Sequence, residues 1–387
     1  MKTANQLLSG LGTTIFTVMS ALATDHGAIN LGQGFPDTEG PRDVVEHAAK
    51  ALLEQSNQYP PLAGLLELRQ AVAAINRRFY GLEIDPATEV VVTSGGTEAL
   101  AASLAALLNP GDEVVLFEPL YDTYLPVIRL LGAIPRIVRL QPPDWALPEA
   151  ELRAAFNSRT KLVLLNSPMN PTGKLFSPGE LGLIAELMVQ YDAYAVCDEV
   201  YEHLVFDGLR HIPLMSLPGM RDRTIRIGSA GKTFSLTGWK LGYVTAPAAL
   251  AAVVAKAHQN LTFTSPPNLQ RAVAYGLAKD DGYFQDFAAT LAQKRDRLRA
   301  GLSSVGLPCL PSFGSYFVIA DIGGVGFDGS DVAFCRFITE TAKVTAIPLS
   351  AFYDQPDAPT NLVRFAFCKQ DHVLDEAAAR LARCFGR

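Results

Sequence analysis

Five short segments in the middle of the chain consist mainly of apolar residues, and this feature constrains the fold more than any other. They span residues 90–92, 113–117, 162–165, 193–197 and 224–227. Patterns typical of helices separate several of them, over residues 98–108, 121–131 and 180–191. Strands that are apolar on both faces are characteristic of parallel sheets covered by helices. The sequence therefore predicts an α/β fold with a mainly parallel sheet.

The two ends of the chain differ from this middle part. A long charged helix is predicted over residues 284–302, followed by short strands near residues 316–320 and 362–367, which indicates a smaller α+β domain. The first forty residues show few regular signals and are interpreted as an arm. We therefore predict an N-terminal arm with part of the small domain (1–41), a large domain (42–282) and a small C-terminal domain (283–387). A chain of 387 residues is long enough for two such domains.

Composition excludes several classes of protein. The net charge is −6 and there is no run of Lys or Arg, so no nucleic-acid partner is expected. No apolar run is long enough to span a membrane. The five cysteines form no CxxC pair, which favours a reducing, cytoplasmic compartment. Residues 11–23 end in Ala-Leu-Ala like a signal peptide, but Gly12 and several hydroxyl residues interrupt the segment, so secretion is not expected.

Three polar residues follow two neighbouring strands of the predicted sheet. Lys232 comes after the strand at 224–227, and Asp198 and Tyr201 come after the strand at 193–197. Ligands of such sheets bind at the carboxyl ends of the strands. A lysine can form a Schiff base with the aldehyde of pyridoxal phosphate (PLP), an aspartate can pair with its ring nitrogen, and a tyrosine can donate to its ring oxygen. Each residue alone is unspecific, and the prediction of a PLP enzyme depends on the set.

Two other interpretations of these segments fail. The run Gly231-Lys232-Thr233 resembles the end of a P-loop, but Arg226 occupies the position of the required first glycine, and Gly238 interrupts the expected helix. The acidic residues around Asp198 and the nearby His203 lack the spacing of metal ligands, so no metal site is expected.

Further candidates are weaker when taken one at a time. The pair Gly95-Gly96, followed by Thr97, could bind an anion at a helix start, although a structural turn would look the same. Asn170 lies in a proline-rich loop after a strand, and Lys240 follows Lys232 by eight residues. Arg364 lies in an apolar strand, where it could form a structural ion pair or bind a carboxylate.

With these residues assembled, the chain resembles the fold-type I, class I PLP-dependent aminotransferases along nearly its whole length. Within that class it is most similar to the methionine and kynurenine aminotransferase group. Five ordered stretches carry the resemblance: residues 30–37, 57–59, 170–173, 198–201 and 229–240.

The resemblance implies a role for each matching residue. Lys232 would be the Schiff-base lysine and proton carrier, Asp198 would pair with the ring nitrogen, and Tyr201 and Asn170 would bond the ring oxygen. Tyr121 would stack on the ring. The phosphate would be held by Gly96, Thr97, Ser229 and Lys240, and by Tyr59 of the neighbouring subunit in a homodimer with shared sites. Arg364 would bind the substrate α-carboxylate, with Gly34 and Asn170.

The expected preference for one class of substrate side chain follows from one position at which this chain departs from the family pattern. Aspartate aminotransferases of the best-known subgroup carry an arginine for the distal carboxylate shortly before an Asn-Pro-Pro run, whereas Asn260 stands at the comparable place here. Ile15, Phe16 and Phe352 offer apolar surface instead. We therefore expect transamination between an apolar, aromatic or sulfur-containing amino acid (the methionine, phenylalanine and kynurenine class) and a 2-oxo acid.

Two alternatives stay open at this point, and a third is not expected. The same scaffold could run a β-lyase reaction on cysteine S-conjugates or act as an aspartate-type aminotransferase. A PLP-binding transcriptional regulator would need a DNA-binding domain, for which the chain has no room before the arm.

Overall fold

The computed structural model describes residues 2–354 and 356–386. The strands, in chain order, are β1 (Ile29–Asn30), β2 (Val90–Thr93), β3 (Glu113–Glu118), β4 (Ile134–Arg139), β5 (Thr160–Asn166), β6 (Tyr194–Asp198), β7 (Thr224–Ser229), β8 (Gly242–Thr245), β9 (Phe317–Asp321), β10 (Val344–Thr345), β11 (Ile347–Pro348) and β12 (Leu362–Ala366). The α-helices are α1 (Gln6–Gly10), α2 (Ile15–His26), α3 (Arg42–Glu54), α4 (Leu66–Tyr80), α5 (Gly95–Leu107), α6 (Tyr124–Leu130), α7 (Glu149–Ala155), α8 (Pro178–Gln190), α9 (Ala230–Thr233), α10 (Ala248–Leu261), α11 (Pro267–Leu277), α12 (Asp281–Ser304), α13 (Asp331–Thr341) and α14 (Asp371–Phe385).

A seven-stranded sheet forms the centre of the molecule, in the order β2-β8-β7-β6-β5-β3-β4. All pairs from β7 to β4 are parallel, and β8 is antiparallel to both of its neighbours. Alternate side chains of β5 show how helices cover both faces: Leu162 and Leu164 pack in the same apolar cluster as α5, and Val163 and Leu165 pack with α8. The α/β prediction is confirmed.

A second, antiparallel sheet of three strands, β11-β12-β9, lies in the C-terminal part of the chain with α12, α13 and α14. The short parallel pair β1–β10 ties the N-terminal segment to this part. These strands build the smaller α+β unit that the sequence predicts. Among the described residues, no helix combines the length and apolar character that crossing a membrane requires.

Two local elements differ from the sequence expectation. In the predicted arm, where the sequence shows few regular signals, α2 forms a regular helix that is capped by the Thr14 side chain and ended by Gly27 in the left-handed region (φ 58°). The helix predicted to begin at residue 121 begins at Tyr124. Pro126 explains the later start, since a proline lacks the N–H that an interior helical position must donate and fits only the first turn.

Candidate active site

The carboxyl ends of the large sheet's parallel strands face residues of the small sheet and the N-terminal segment across a cleft of about 440 Å³. The loops after β3, β5, β6 and β7 and the start of α5 form one side. Arg364 from β12, Phe317 from β9 and the segments around Phe16 and Gly34 contribute the other. The predicted convergence of strand-end residues on one crevice is therefore observed.

One end of the cleft suits an anion. Helix α5 begins at Gly95, whose φ of +81° lies in the left-handed region, and its first turn contributes Gly96 and Thr97 to the cleft wall. Gly242 must lack a side chain here, because a Cβ would lie 2.8 Å from the Gly95 carbonyl carbon. The N–H groups at this helix start, with Ser229 and Lys240 also in the lining, make this end of the cleft suited to an anion such as a phosphate group.

Asp198 is held rigidly at the base of the cleft. Tyr124 donates its hydroxyl proton to Asp198 Oδ2 at 2.7 Å, and Asn166 Nδ2 donates to the Asp198 carbonyl at 2.8 Å. Burial raises the pKa of the Asp198 carboxyl, and the Tyr124 hydrogen bond and the Lys232 charge oppose that effect. The carboxylate is thus poised for a cationic partner such as a protonated ring nitrogen.

Lys232 approaches the same cleft from the start of α9. Its Nζ donates to the Tyr316 hydroxyl at 2.6 Å, and that hydroxyl donates in turn to the Gly34 carbonyl. Burial lowers the pKa of Lys232 to about 8. At pH 7 about a tenth of this lysine is therefore an uncharged amine, far more than for an ordinary lysine, and this is the form that reacts with an aldehyde or accepts a proton.

Arg364 is almost fully buried, with 1% of its surface exposed, and has no carboxylate partner among the described residues. It donates to Asn170 Oδ1 at 2.9 Å and to the Gly32 carbonyl at 2.6 Å, and its Nε has no partner. Burial lowers the pKa of this guanidinium to about 10. A buried cation with a free donor and no counter-ion is suited to a carboxylate ligand.

Aromatic rings surround that guanidinium. Its central carbon lies 4.0 Å from the ring centre of Phe317, 4.9 Å from that of Phe352 and 5.1 Å from that of Phe16. Phe16 and Phe352 also contact each other edge to face at 5.6 Å. The carboxylate site is therefore bordered by apolar surface.

The structure brings together most of the residues that the sequence singles out. The cleft lining includes Phe16, Gly34, Gly96, Thr97, Tyr121, Asn170, Asp198, Tyr201, Ser229, Lys232, Lys240 and Arg364. Phe352 is outside the lining and contacts Phe16 edge to face. Ile15 is outside the lining and packs against the hydrophobic core. Tyr59 is 81% exposed, away from this cleft, and packs edge to face on Phe263.

Sequence reasoning missed Tyr124, Tyr316 and Asp122, which also belong to the site or support it. The one available signal concerns Tyr124, because a tyrosine inside an apolar helix needs a hydrogen-bond partner for its hydroxyl. Nothing local marks Tyr316, which reaches Lys232 from the turn just before β9. Asp122 lines the cleft between Tyr121 and Thr123.

The donor set fits PLP. An anion site at a helix start, a lysine with a lowered pKa and a fixed carboxylate match the phosphate, the aldehyde and the ring nitrogen of that cofactor. The comparisons with known proteins agree with this chemistry. Residues 26–381 match the family described as "Aminotransferase class I and II".

Three relatives span nearly the whole chain. The probable N-succinyldiaminopimelate aminotransferase of Mycobacterium tuberculosis is 47% identical over 96% of both chains, and a solved structure under that name superposes with a TM-score of 0.95 over 98% of this chain and 100% of the other. Methionine aminotransferase of Escherichia coli is 41% identical over 97% of this chain and 96% of its own. Kynurenine–oxoglutarate transaminase 3 of Rattus norvegicus is 40% identical over 96% of this chain and 88% of its own. The chain therefore belongs to the class I and II aminotransferases and is a transaminase that depends on pyridoxal phosphate.

Proposed function

We propose that this transaminase transfers the amino group between an amino acid with a neutral apolar, aromatic or sulfur-containing side chain and a 2-oxo acid. The observation that carries the proposal is Arg364, a buried cation that forms no ion pair with any residue that the structure describes and is bordered by Phe16, Phe317 and Phe352. It offers one carboxylate site and apolar surface next to it. Relatives named for methionine and kynurenine support this donor class.

The residue roles that the resemblance implies form part of the proposal. When bound, PLP spreads the negative charge that develops at the substrate Cα into its ring. Asp198 keeps the ring nitrogen protonated, and Tyr201 and Asn170 bond the ring oxygen. Tyr121 stacks on the ring, while the phosphate is held by Gly96, Thr97, Ser229 and Lys240.

Lys232 carries the proton in this proposal. Its amine would accept the proton from the substrate Cα and deliver it to the aldehyde-derived carbon of the cofactor in the same half-reaction, and the second half-reaction would run these transfers in reverse. A pKa of about 8 matches that task near neutral pH, because acid and base forms are then both populated. The Tyr316 hydroxyl, at 2.6 Å, keeps the amine directed into the cleft.

We also propose a homodimer in which Tyr59 belongs to the neighbouring subunit's site. Tyr59 packs on Phe263, and further large apolar side chains are exposed on the neighbouring helices α3, α4, α10 and α11: Leu52, Leu53, Leu66, Leu261 and Tyr275. Exposed apolar surface of this kind supports an interface when it is contiguous. The five free thiols are compatible with a reducing, cytoplasmic compartment.

Mixing inactive variants tests the shared site. In a mixed dimer of Lys232→Ala and Tyr59→Ala subunits, one site carries both defects and the other carries neither. Activity should recover on mixing, to at most about a quarter of the native value, which is the expectation for random pairing. Mixed dimers that form without any recovery would show that Tyr59 serves its own subunit or none.

A substrate panel tests the donor class. Methionine, phenylalanine, kynurenine, aspartate and N-succinyldiaminopimelate are each offered with several 2-oxo acids, and the products are identified. A new amino acid marks transamination, whereas pyruvate and ammonia from a cysteine conjugate mark the β-lyase reaction. A kcat/KM for aspartate at or above the value for the neutral donors would contradict the proposed class and leave the transaminase assignment intact.

A further inference from the structure

The carboxylate of Glu98 lies in the first turn of α5, directly after the residues that line the anion end of the cleft. Its Oε2 accepts a hydrogen bond from the backbone N–H of Ser94 at 3.0 Å, so this side chain caps the helix start. A phosphate at Gly96 and Thr97 needs other N–H groups of the same turn. An acidic side chain at this place can therefore compete with the phosphate for donors and repel its charge.

His258, on α10, contacts that carboxylate from a neighbouring helix. Its Nδ1 lies 3.1 Å from each of the two Glu98 carboxylate oxygens and 3.1 Å from Thr262 Oγ1. The ring is fully buried, and its Nε2 has no hydrogen-bond partner among the described residues. Burying an unpaired ring nitrogen costs free energy, so stability alone does not explain a histidine at this position.

The loop that follows α10 is fastened to the same helix start. The backbone N–H groups of Thr262 and Phe263 donate to the His258 carbonyl at 3.0 and 3.1 Å. Further along the loop, Ser265 Oγ lies 3.1 Å from Ser94 Oγ. Phe263 has a φ of +69°, in the left-handed region that a bulky side chain rarely adopts. Such a conformation persists only where the surroundings fix it, which these bonds do.

We infer that His258 and Glu98 are positioning residues for the cofactor phosphate. The imidazole keeps the Glu98 carboxylate directed at Ser94, so that the remaining N–H groups at the start of α5 stay available to the phosphate. Neither residue lines the cleft, and both act through the helix start. This inference rests on the phosphate-binding role proposed for Gly96 and Thr97.

Loss of the imidazole should affect the phosphate by two routes. In the first, the Glu98 carboxylate is released from Nδ1 and can accept from N–H groups that the phosphate needs. The second passes through the loop after α10, where the Phe263 ring packs edge to face on Tyr59 with the ring centres 5.3 Å apart. Tyr59 is the residue proposed for the neighbouring subunit's phosphate. Neither route involves the ring or the aldehyde of the cofactor.

The test compares two ligands that differ by the phosphate. Dissociation constants of PLP and of pyridoxal, which has the same ring and aldehyde, are measured after the cofactor is removed from the purified holoenzyme. His258→Asn keeps an N–H near the place of Nδ1, His258→Gln places its amide near that of Nε2, and His258→Leu has no donor. Thr339→Val is the control, because it removes a buried, hydrogen-bonded hydroxyl on α13, outside the cleft lining. Circular dichroism checks folding, and the Asn and Gln variants decide the test if His258→Leu does not fold.

The loss should be confined to the ligand that carries a phosphate. His258→Leu and His258→Gln should weaken PLP binding by on the order of tenfold and pyridoxal binding by less than about twofold, since one hydrogen bond to a charged group is lost. His258→Asn and Thr339→Val should stay close to the native protein. Equal losses for PLP and pyridoxal, or equal PLP affinities of the Asn and Gln variants, would overturn the inference. A native protein that binds pyridoxal as tightly as PLP would instead reject the phosphate role proposed for Gly96 and Thr97.

Discussion

Two buried arginines of this chain have nearly the same exposure and opposite surroundings. Arg226, on β7, donates to Glu199 at 2.6 Å and to Glu202 at 3.0 Å, and also bonds Asn76. Arg364, on β12, is bonded only by an amide and a backbone carbonyl, and one of its nitrogens has no partner. The first arginine belongs to a closed ion cluster, whereas the second borders the cleft.

Their pKa values shift in opposite directions for this reason. Burial alone would lower both, but the charges of Glu199 and Glu202 outweigh it and raise the pKa of Arg226. No carboxylate contact offsets burial at Arg364, so its pKa falls to about 10. Adjacent residues show the same division: burial dominates at Asp198 and raises its pKa, while the Arg226 and His211 charges lower that of Glu199. A buried charge with its partner stabilises the fold, and one without a partner is available to a ligand.

Removing Arg226 should have the largest effect on stability. Arg226→Met leaves the buried carboxylate of Glu202 without its arginine and that of Glu199 with His211 alone, which costs about 3–5 kcal/mol of the free energy of unfolding. Urea unfolding of the holoenzyme measures it. Arg153→Met is the control, because its ion pairs are exposed and its loss should change little. Equal free energies of unfolding for Arg226→Met and Arg153→Met would contradict the idea that the buried ion cluster of Arg226 stabilises the fold.

Arg364→Met should show the reverse pattern. No buried carboxylate loses its partner, so the variant should unfold at a similar urea concentration to the native protein. Its kcat/KM should fall by at least about a hundredfold for every amino donor, because all donors present an α-carboxylate to the lost charged hydrogen bonds. Arg364→Lys should recover only part of the loss. A fall in kcat/KM for one amino donor only would show that Arg364 binds the side chain of that substrate and not the α-carboxylate.

The sequence did not show that Arg226 and Arg364 have different surroundings, and it did not reveal all the groups that contact Lys232. Strands β5, β6 and β7 were predictable because both of their faces are apolar, and the positions of Asp198 and Lys232 followed from the strand ends. The carboxylate partners of Arg226 lie on the turn after β6, which has no periodic signal, and Asn76 lies on the distant helix α4. Tyr316 is 84 residues from Lys232 and meets it only when the two sheets pack. Such contacts depend on tertiary packing, which local patterns do not encode.

The two regular elements that the sequence did not predict, α2 and β8, were missed for local reasons. Helix α2 escaped notice because Ser and Thr interrupt its apolar pattern, although Thr14 and Gly27 are ordinary cap residues. The antiparallel strand β8 was not predicted. It begins two residues after Lys240, directly after the segment that was interpreted as a cofactor-binding motif. The domain boundaries stay predictions.

Lys232 is a further buried charge without a carboxylate contact among the described residues, and it should make the free energy of unfolding depend on pH. In the cofactor-free protein its folded pKa is about 8, below the ordinary value of 10.5. Between these two pH values the unfolded chain binds more protons than the folded one, so the free energy of unfolding should rise with pH. The rise between pH 7.5 and 9.5 should be about 2 kcal/mol larger in the native protein than in Lys232→Met. Identical pH profiles would show that burial does not destabilise the charged lysine.

The smallest expected effect concerns Asp198. Its hydrogen-bond donor is the neutral hydroxyl of Tyr124, whereas the donor to Glu199 is the charged guanidinium of Arg226. Tyr124→Phe removes the 2.7 Å hydrogen bond to Asp198 Oδ2 and leaves the ring packing unchanged. A hydrogen bond to a buried carboxylate contributes about 1–2 kcal/mol, so kcat/KM should fall by roughly tenfold, together with a measurable weakening of PLP binding. Tyr121→Phe is the matched control, since its ring lines the cleft but its hydroxyl does not bond Asp198. If the two tyrosine variants lose activity and PLP affinity equally, the hydrogen bond does not position Asp198, and burial alone sets the state of that carboxyl.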